Sequence, residues 1–245
     1  MVFSRLAETF TPSDFAYAHR GLWTDDGFSE NSLDAFLAAA RAGLGIEFDV
    51  RPASDGTPII FHDPTLDRMT DESGAVSARA AVQLVGTPLL GGGTIISLED
   101  LLHAWPQSTP LLCELKIDGQ TDAIAFAEAV GTMLSQHSGP AAGMSFSPIA
   151  VNALPSDLMR GQLILPSKMS GADDLTKIVP PRVNYLACHV DDVRHASLQA
   201  ARVMHSLVTW TVKDIDTCKD VAAITDSQIF EGFDPELAKR HILHT

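Results

Sequence analysis

Short apolar runs alternate along this chain with stretches of helical periodicity, and that alternation restricts the fold more than any other feature. "FAYAHR", "GIEFDV", "PIIFHD", "LLCELK", "AAGMSF", "GQLIL", "NYLACH", "SLVTWTV" and "AAITD" each read as a buried strand, most ending in polar residues. Between most of them lie "ENSLDAFLAAARAG", "SLEDLLHAW", "TDAIAFAEAVGTMLSQH", "DDVRHASLQAARVM" and "DPELAKRHIL", which read as helices. In the first of these, Leu33, Phe36, Leu37 and Ala40 recur at i, i+3, i+4 and i+7, with Ser29 as the expected N-cap and Gly43 as the stop. About eight β–α repeats predict an α/β fold with a parallel sheet, a (β/α)8 TIM-type barrel in preference to a doubly wound sheet. Nine strand candidates leave one in surplus.

Two stretches interrupt the pattern. Between "IEFDV" and "IIFHD" there is room only for "RPASDGTP", and its Asp55-Gly56 pair is the preferred centre of a two-residue hairpin turn. Pairing Ser54 with Thr57 and counting outward sets Asp49 opposite His62. Residues 64–96 are polar, contain several glycines and are too long for an ordinary connection, so a small insertion after the third strand is expected. No long linker or repeat is visible, which favours a single barrel domain over 1–245.

Composition excludes several functions. With 17 basic against 31 acidic residues the net charge is −14, which disfavours nucleic acid or an anionic membrane as the main partner. Cys113, Cys188 and Cys218 are odd in number and lack CxxC spacing, consistent with reduced thiols. The opening "MVFSRLAETF" lacks the apolar core of a signal peptide, and no run reaches the ~18 apolar residues of a membrane span. A cytoplasmic protein without integral membrane association is the expectation; the oligomeric state is not legible.

Charge at the ends of apolar runs is the functional signal, because a barrel of this kind builds its site from the carboxyl ends of its strands. The residues so placed are His19 and Arg20, Glu47 and Asp49, His62, Glu114 and Lys116, with Asp226 later. Residues two apart share a strand face, so Glu47 and Asp49 point together, as do Glu114 and Lys116. An exposed strand face would explain such charge, but Ile46, Phe48, Val50 and Ile59 to Phe61 flank it closely with apolar residues. Three convergent carboxylates without a nearby thiol suit a hard divalent cation, Mg²⁺ or Ca²⁺. Two histidines beside it can accept and donate protons, and Arg20 and Lys116 add fixed positive charge. The set is coherent for attack at a phosphate ester.

"AHRG", "SENSLDAF", "IEFDV", "DGTPIIFHDPTLDRMTDESG", "LEDLL", "CELK", "SF", "TWTV" and "ITD" together resemble the glycerophosphodiester phosphodiesterase family over about residues 15–230. The resemblance implies a (β/α)8 barrel with an insertion after the HD motif. It also implies cation-dependent hydrolysis of glycerophosphodiesters, small-molecule substrates, to sn-glycerol 3-phosphate and an alcohol. Carried over by position, Glu47, Asp49 and Glu114 match the metal ligands, and His19 and His62 the catalytic pair. Arg20 and Lys116 match phosphate contacts, and Trp210 an aromatic residue near the glycerol. The family reading has the glycerol hydroxyl or a water attack phosphorus, with His62 favoured as base and His19 as acid. Ser32 and Cys113 depart from the usual Thr and aliphatic residue, and the sequence around Asp226 lacks the usual flanking Gly and Pro.

Simpler readings exist for individual residues. A lone histidine in a strand is usually structural, Glu114 and Lys116 could form a surface ion pair, and Trp210 could be core. His103, His137, His189, His195, His205, His241 and His244 belong to no motif, and "LLGGGT" lacks the Lys-Ser/Thr of a phosphate-binding loop. Rival functions are a phospholipase D-like phosphodiesterase acting on lysophospholipids, disfavoured by the lack of a basic amphipathic helix, and a non-catalytic phosphometabolite-binding barrel.

Overall fold

The computed structural model describes residues 10–106, 108–168, 175 and 179–243, so the opening stretch up to Glu8 and Thr9, and His244, lie outside the described residues. Its strands are β1 (Tyr17–His19), β2 (Gly45–Pro52), β3 (Pro58–Ile60), β4 (Leu111–Leu115), β5 (Ala141–Ser145), β6 (Met159–Ile164), β7 (Tyr185–His189), β8 (Ser206–Val212) and β9 (Ser227–Phe230). All but β3 pair in parallel around a ring that β1 closes by pairing with both β2 and β9. The surplus strand is β3, which hangs antiparallel on β2 outside the ring. The fold is an eight-stranded parallel barrel with helices around it.

The barrel separates two cores by the alternation of its strands. Ile46, Phe48, Val50, Leu111 and Cys113 face outward into a layer shared with helices α1 (Leu33–Arg41) and α4 (Ala123–Gln136). Tyr17, Leu112, Met144, Leu163, Tyr185, Val208 and Ile229 fill the interior. That apolar plug leaves only the carboxyl ends of the strands open for polar groups.

Three local expectations require correction. The hairpin pairs Val50 with Ile60 and Arg51 with Ile59, and the Phe61 N–H donates to the Asp49 carbonyl at 3.1 Å, so Asp49 stands opposite Phe61 and not His62. The loop is three residues long because Gly56, at φ +83°, closes it between Ala53 and Thr57, and the Asp55 carboxylate accepts the Thr57 N–H. The N-cap of α1 is Ser32, whose hydroxyl accepts from the Ala35 N–H, not Ser29. The last strand is Ser227–Phe230, after "AAITD", because the helix Ile215–Ala222 and its turn consume that segment.

Between β3 and β4, residues 64–96 pack Leu66, Val76, Leu84, Leu89 and Ile95 onto Ala53, Ile59 and Phe61 as a separate small core. Helix α2 (Ala81–Leu84) lies within this segment and α3 (Leu98–Ala104) follows it. No described helix is long and apolar enough to cross a membrane.

Candidate active site

Parallel register assembles the site from β1, β2 and β4. His19 pairs with Glu47, and Asp49 pairs with Glu114, so the interior-facing polar residues of three neighbouring strands meet at the mouth. Ligand oxygens of Glu47, Asp49 and Glu114 lie within 4.8 Å of one another, and all three side chains are buried. Burial is the largest cause pushing the Glu47 carboxyl well above its usual range, with Asp49 and Glu114 adding to it. Burial also raises Glu114, with Asp49 adding to it against Lys116. Asp49 goes the other way: burial would raise it, but Lys116 and Arg20 hold it far below the ordinary carboxylate range.

Two cations face this triad. Lys116 Nζ lies 2.9 Å from Asp49 Oδ1 and 2.6 Å from Glu114 Oε1. Arg20 Nη1 donates to Glu30 Oε1 at 2.9 Å, while Nε, 3.3 Å from Asp49 Oδ2, has no hydrogen-bond partner among the described residues. A buried guanidinium donor left over in this way is suited to a further anionic oxygen. Three carboxylates against two cations, one of which is engaged by Glu30, leave the cluster short of positive charge. The all-oxygen donor set, its convergence and this deficit fit a hard divalent cation.

Backbone conformation explains the "HRG" and "ENS" motifs. Arg20 and Asn31 occupy left-handed conformations at φ +56° and +55°, locked by hydrogen bonds from Arg20 N to the Glu47 carbonyl (2.8 Å) and from Asn31 N to the Arg20 carbonyl (2.9 Å). Gly21 follows at φ +87°, and a Cβ there would sit 2.8 Å from the Ala35 carbonyl carbon. Asn31 Nδ2 donates to Asp49 Oδ2 at 2.9 Å, so the segment before α1 holds Asp49 and, through Glu30, Arg20.

Both histidines have one ring nitrogen taken by a carboxylate. His19 Nδ1 lies 2.5 Å from Glu231 Oε2, whose other oxygen is 2.9 Å from Lys213 Nζ. His62 Nδ1 lies 2.7 Å from Asp63 Oδ1, and Arg68 bridges Asp63 and Glu30. Burial is the main cause lowering both imidazoles below their ordinary value, so the neutral ring is favoured in each. A neutral ring facing a carboxylate through Nδ1 carries its proton there and leaves Nε2 free. His19 Nε2 is 3.8 Å from Glu47 Oε2.

Trp210 is half-buried at the mouth, edge-on to Phe146 (5.9 Å) and His189 (5.2 Å), and its peptide bond to Thr211 is cis. Its indole Nε1 is buried without a hydrogen-bond partner among the described residues. The structure thus brings together His19, Arg20, Glu47, Asp49, His62, Glu114 and Lys116, with Trp210 on the wall formed by β8. Asp226 is not part of this group. It precedes β9 at the opposite end of the barrel, where it accepts from Arg202 and the Leu207 N–H. Sequence reasoning missed Glu231, Lys213, Glu30, Asn31, Asp63 and Arg68 as members of the site. Glu231 had a usable signal, because it lies two residues after the interior-facing Ile229 on the same strand face.

Residues 19–138 match the model of the glycerophosphoryl diester phosphodiesterase family. Glycerophosphodiester phosphodiesterase 1 of Rattus norvegicus is 44% identical over 73 residues, 29% of this chain and 22% of that protein's length. The chain therefore matches about a fifth of that relative. The solved glycerophosphodiester phosphodiesterase of Parabacteroides distasonis has a TM-score of 0.76 at 19% identity, covering 93% of this chain and 96% of its own. A phosphodiesterase of Oleispira antarctica, solved with the product sn-glycerol-3-phosphate, has a TM-score of 0.76 at 24% identity, with 93% and 96% covered. At these identities the solved structures share the fold.

Proposed function

We propose that this chain, which belongs to the glycerophosphoryl diester phosphodiesterase family, hydrolyses glycerophosphodiesters to sn-glycerol 3-phosphate and an alcohol with a divalent cation. The observation that carries this reading is the convergence of Glu47, Asp49 and Glu114 within 4.8 Å beside two histidines whose Nδ1 atoms are both tied to carboxylates. A cation held by those three carboxylates would polarise a phosphoryl oxygen and neutralise charge developing on it.

The chain's own residues do the rest. Arg20 Nε and the Lys116 ammonium draw the phosphate into place, and Trp210 offers a flat apolar surface to the glycerol backbone. His62 Nε2 takes the proton of the attacking hydroxyl, a water or the glycerol's own, as its oxygen bonds to phosphorus. The bond from phosphorus to the alcohol breaks, and the leaving oxygen receives its proton from Nε2 of His19 in its imidazolium form, which Glu231 stabilises through Nδ1; exchange with water then returns a proton to His19 and removes the one taken up by His62. If the glycerol hydroxyl attacks first, water then opens the resulting cyclic ester. The net change is one water added across one phosphorus–oxygen bond.

The test is alcohol release from several glycerophosphodiesters, with lysophosphatidylcholine alongside, across a panel of metals. Turnover of the diesters should vanish in chelator and return with Mg²⁺ or Ca²⁺. Full activity of a Glu47→Ala/Asp49→Ala double variant, or in chelator, would sink the reading. Binding of sn-glycerol 3-phosphate without turnover of any diester would point instead to a binding barrel.

A further inference from the structure

His19 lies at one end of the described chain and the carboxylate bound to its ring lies 212 positions away, directly after β9. Closure of the barrel between β1 and β9 is what brings them together. Glu231 is largely buried and uses both oxygens: Oε2 faces His19 Nδ1 at 2.5 Å and Oε1 faces Lys213 Nζ at 2.9 Å. The backbone of His19 is fixed separately, since the Trp23 indole N–H donates to its carbonyl at 3.0 Å and its strand pairs on both sides. The final side-chain torsion of an imidazole is broad and nearly two-fold, so main-chain order does not determine whether the ring presents Nε2 or Cε1 to the site. Glu231 Oε2 is the group that distinguishes them.

We infer that Glu231 is a positioning residue for His19, selecting the ring orientation that turns Nε2 toward the phosphate site, with Lys213 steadying the far carboxylate oxygen. A ring turned over would direct carbon toward Glu231 and leave the carboxylate with an unpaired buried oxygen, so the observed orientation is favoured. Lys213 is mostly exposed, and an ion pair of that kind contributes little, so its role is secondary. The inference deepens the hydrolase reading and rests on it for its kinetic consequence alone.

The experiment combines steady-state kinetics with nitrogen NMR of the His19 ring in the full-length protein, in the wild type and in Glu231→Gln, Glu231→Asp and Lys213→Met. Losing a charge-assisted hydrogen bond of this kind should lower kcat by about 10- to 100-fold in Glu231→Gln. KM and metal affinity should stay within about twofold, because no binding contact is removed. The His19 signals should show Nδ1 protonated in the wild type and a mixture of tautomers in Glu231→Gln. Glu231→Asp should recover part of kcat, and Lys213→Met should remain within about twofold of wild type. A Glu231→Gln protein with unchanged tautomer and kcat overturns the inference, as does one whose KM and metal affinity worsen in step with kcat. The tautomer readout does not require turnover, so an inactive wild type would refute the hydrolase reading while leaving the positioning role testable.

Discussion

The two histidines of the site are held by the same device set in different surroundings. On one side His19 and Glu231 have side chains only 14% and 12% exposed, and the cation behind them, Lys213, is 69% exposed. This arm ends in solvent. On the other side His62 is 32% exposed, Asp63 19%, and Arg68 reaches both Asp63 and the buried Glu30, which in turn holds Arg20. That arm is a loop of charges running from one histidine back to Arg20, and Arg68 belongs to the insertion. Asp63 thus shares its charge with a multidentate guanidinium, whereas Glu231 shares its charge with a lysine that water can screen. Glu231 is therefore left better able to stabilise an imidazolium, which suits His19 to donate a proton and His62 to accept one.

Removing the rings is the strongest challenge to this contrast. His19→Ala and His62→Ala should each lower kcat by about 10²- to 10⁴-fold, while calorimetry should find divalent-cation affinity preserved, since neither is assigned as a ligand. If either variant keeps wild-type kcat, that ring is structural and the two arms are not functional equivalents. The carboxylate on the solvent side of His62 comes next. Asp63→Asn should lower kcat by about 10-fold, less than Glu231→Gln, because Arg68, anchored on Glu30, still holds the remaining amide oxygen in place and the ring is closer to water. A larger loss for Asp63→Asn than for Glu231→Gln would reverse the assignment of acid and base.

The cations separate the arms further. Arg68→Ala opens the loop at two acceptors and frees Glu30 to reorient Arg20, so both KM and kcat should worsen, together by about 5-fold in kcat/KM. Lys213→Met should change kcat/KM by no more than about twofold. Equal effects from the two substitutions, measured with the same diester, would show that the closed loop confers no coupling.

How much of this was legible beforehand depended on the range of the interaction. The barrel followed from alternation of short apolar runs and helices, a pattern repeated along the chain and insensitive to errors at any one boundary. Glu47 and Asp49, and Glu114 and Lys116, were readable because period-two spacing fixes which residues share a face. The hairpin register differs by one residue from that of a two-residue turn because Gly56 in a left-handed conformation lengthens the loop, and such a slip exchanges the residue facing Asp49. Glu231 was harder to read for a different reason, since its one local signal is the strand alternation that continues past Ile229. Its partner is 212 residues away, and the acid that ends the apolar run "AAITD", Asp226, lies at the other end of the same strand. Arg68 lay in a polar stretch where nothing local distinguishes a charge that bridges two carboxylates from one that faces water.

The smallest expected effect concerns stability in acid, where the arms should behave alike. Burial would raise both carboxyls, but the hydrogen bonds from Arg68 and His62 bring Asp63 down to about 2, and those from His19 and Lys213 bring Glu231 to about 2. Unfolded Asp and Glu titrate near 3.9 and 4.3, so each group binds fewer protons in the folded state. Its contribution is fully present above those values and is lost as pH falls toward 2. Between pH 6 and pH 3.5 the stability advantage of wild type over Asp63→Asn, and over Glu231→Gln, should narrow by about 0.5–1 kcal/mol after allowance for the exposed cations. That corresponds to roughly 1–4 °C in melting temperature for a chain of this size. Thermal melts across that interval decide the matter: curves for wild type and variant that run parallel would show that neither carboxylate is ionised preferentially in the folded state, and the charge-assisted character of both histidine contacts would have to be abandoned.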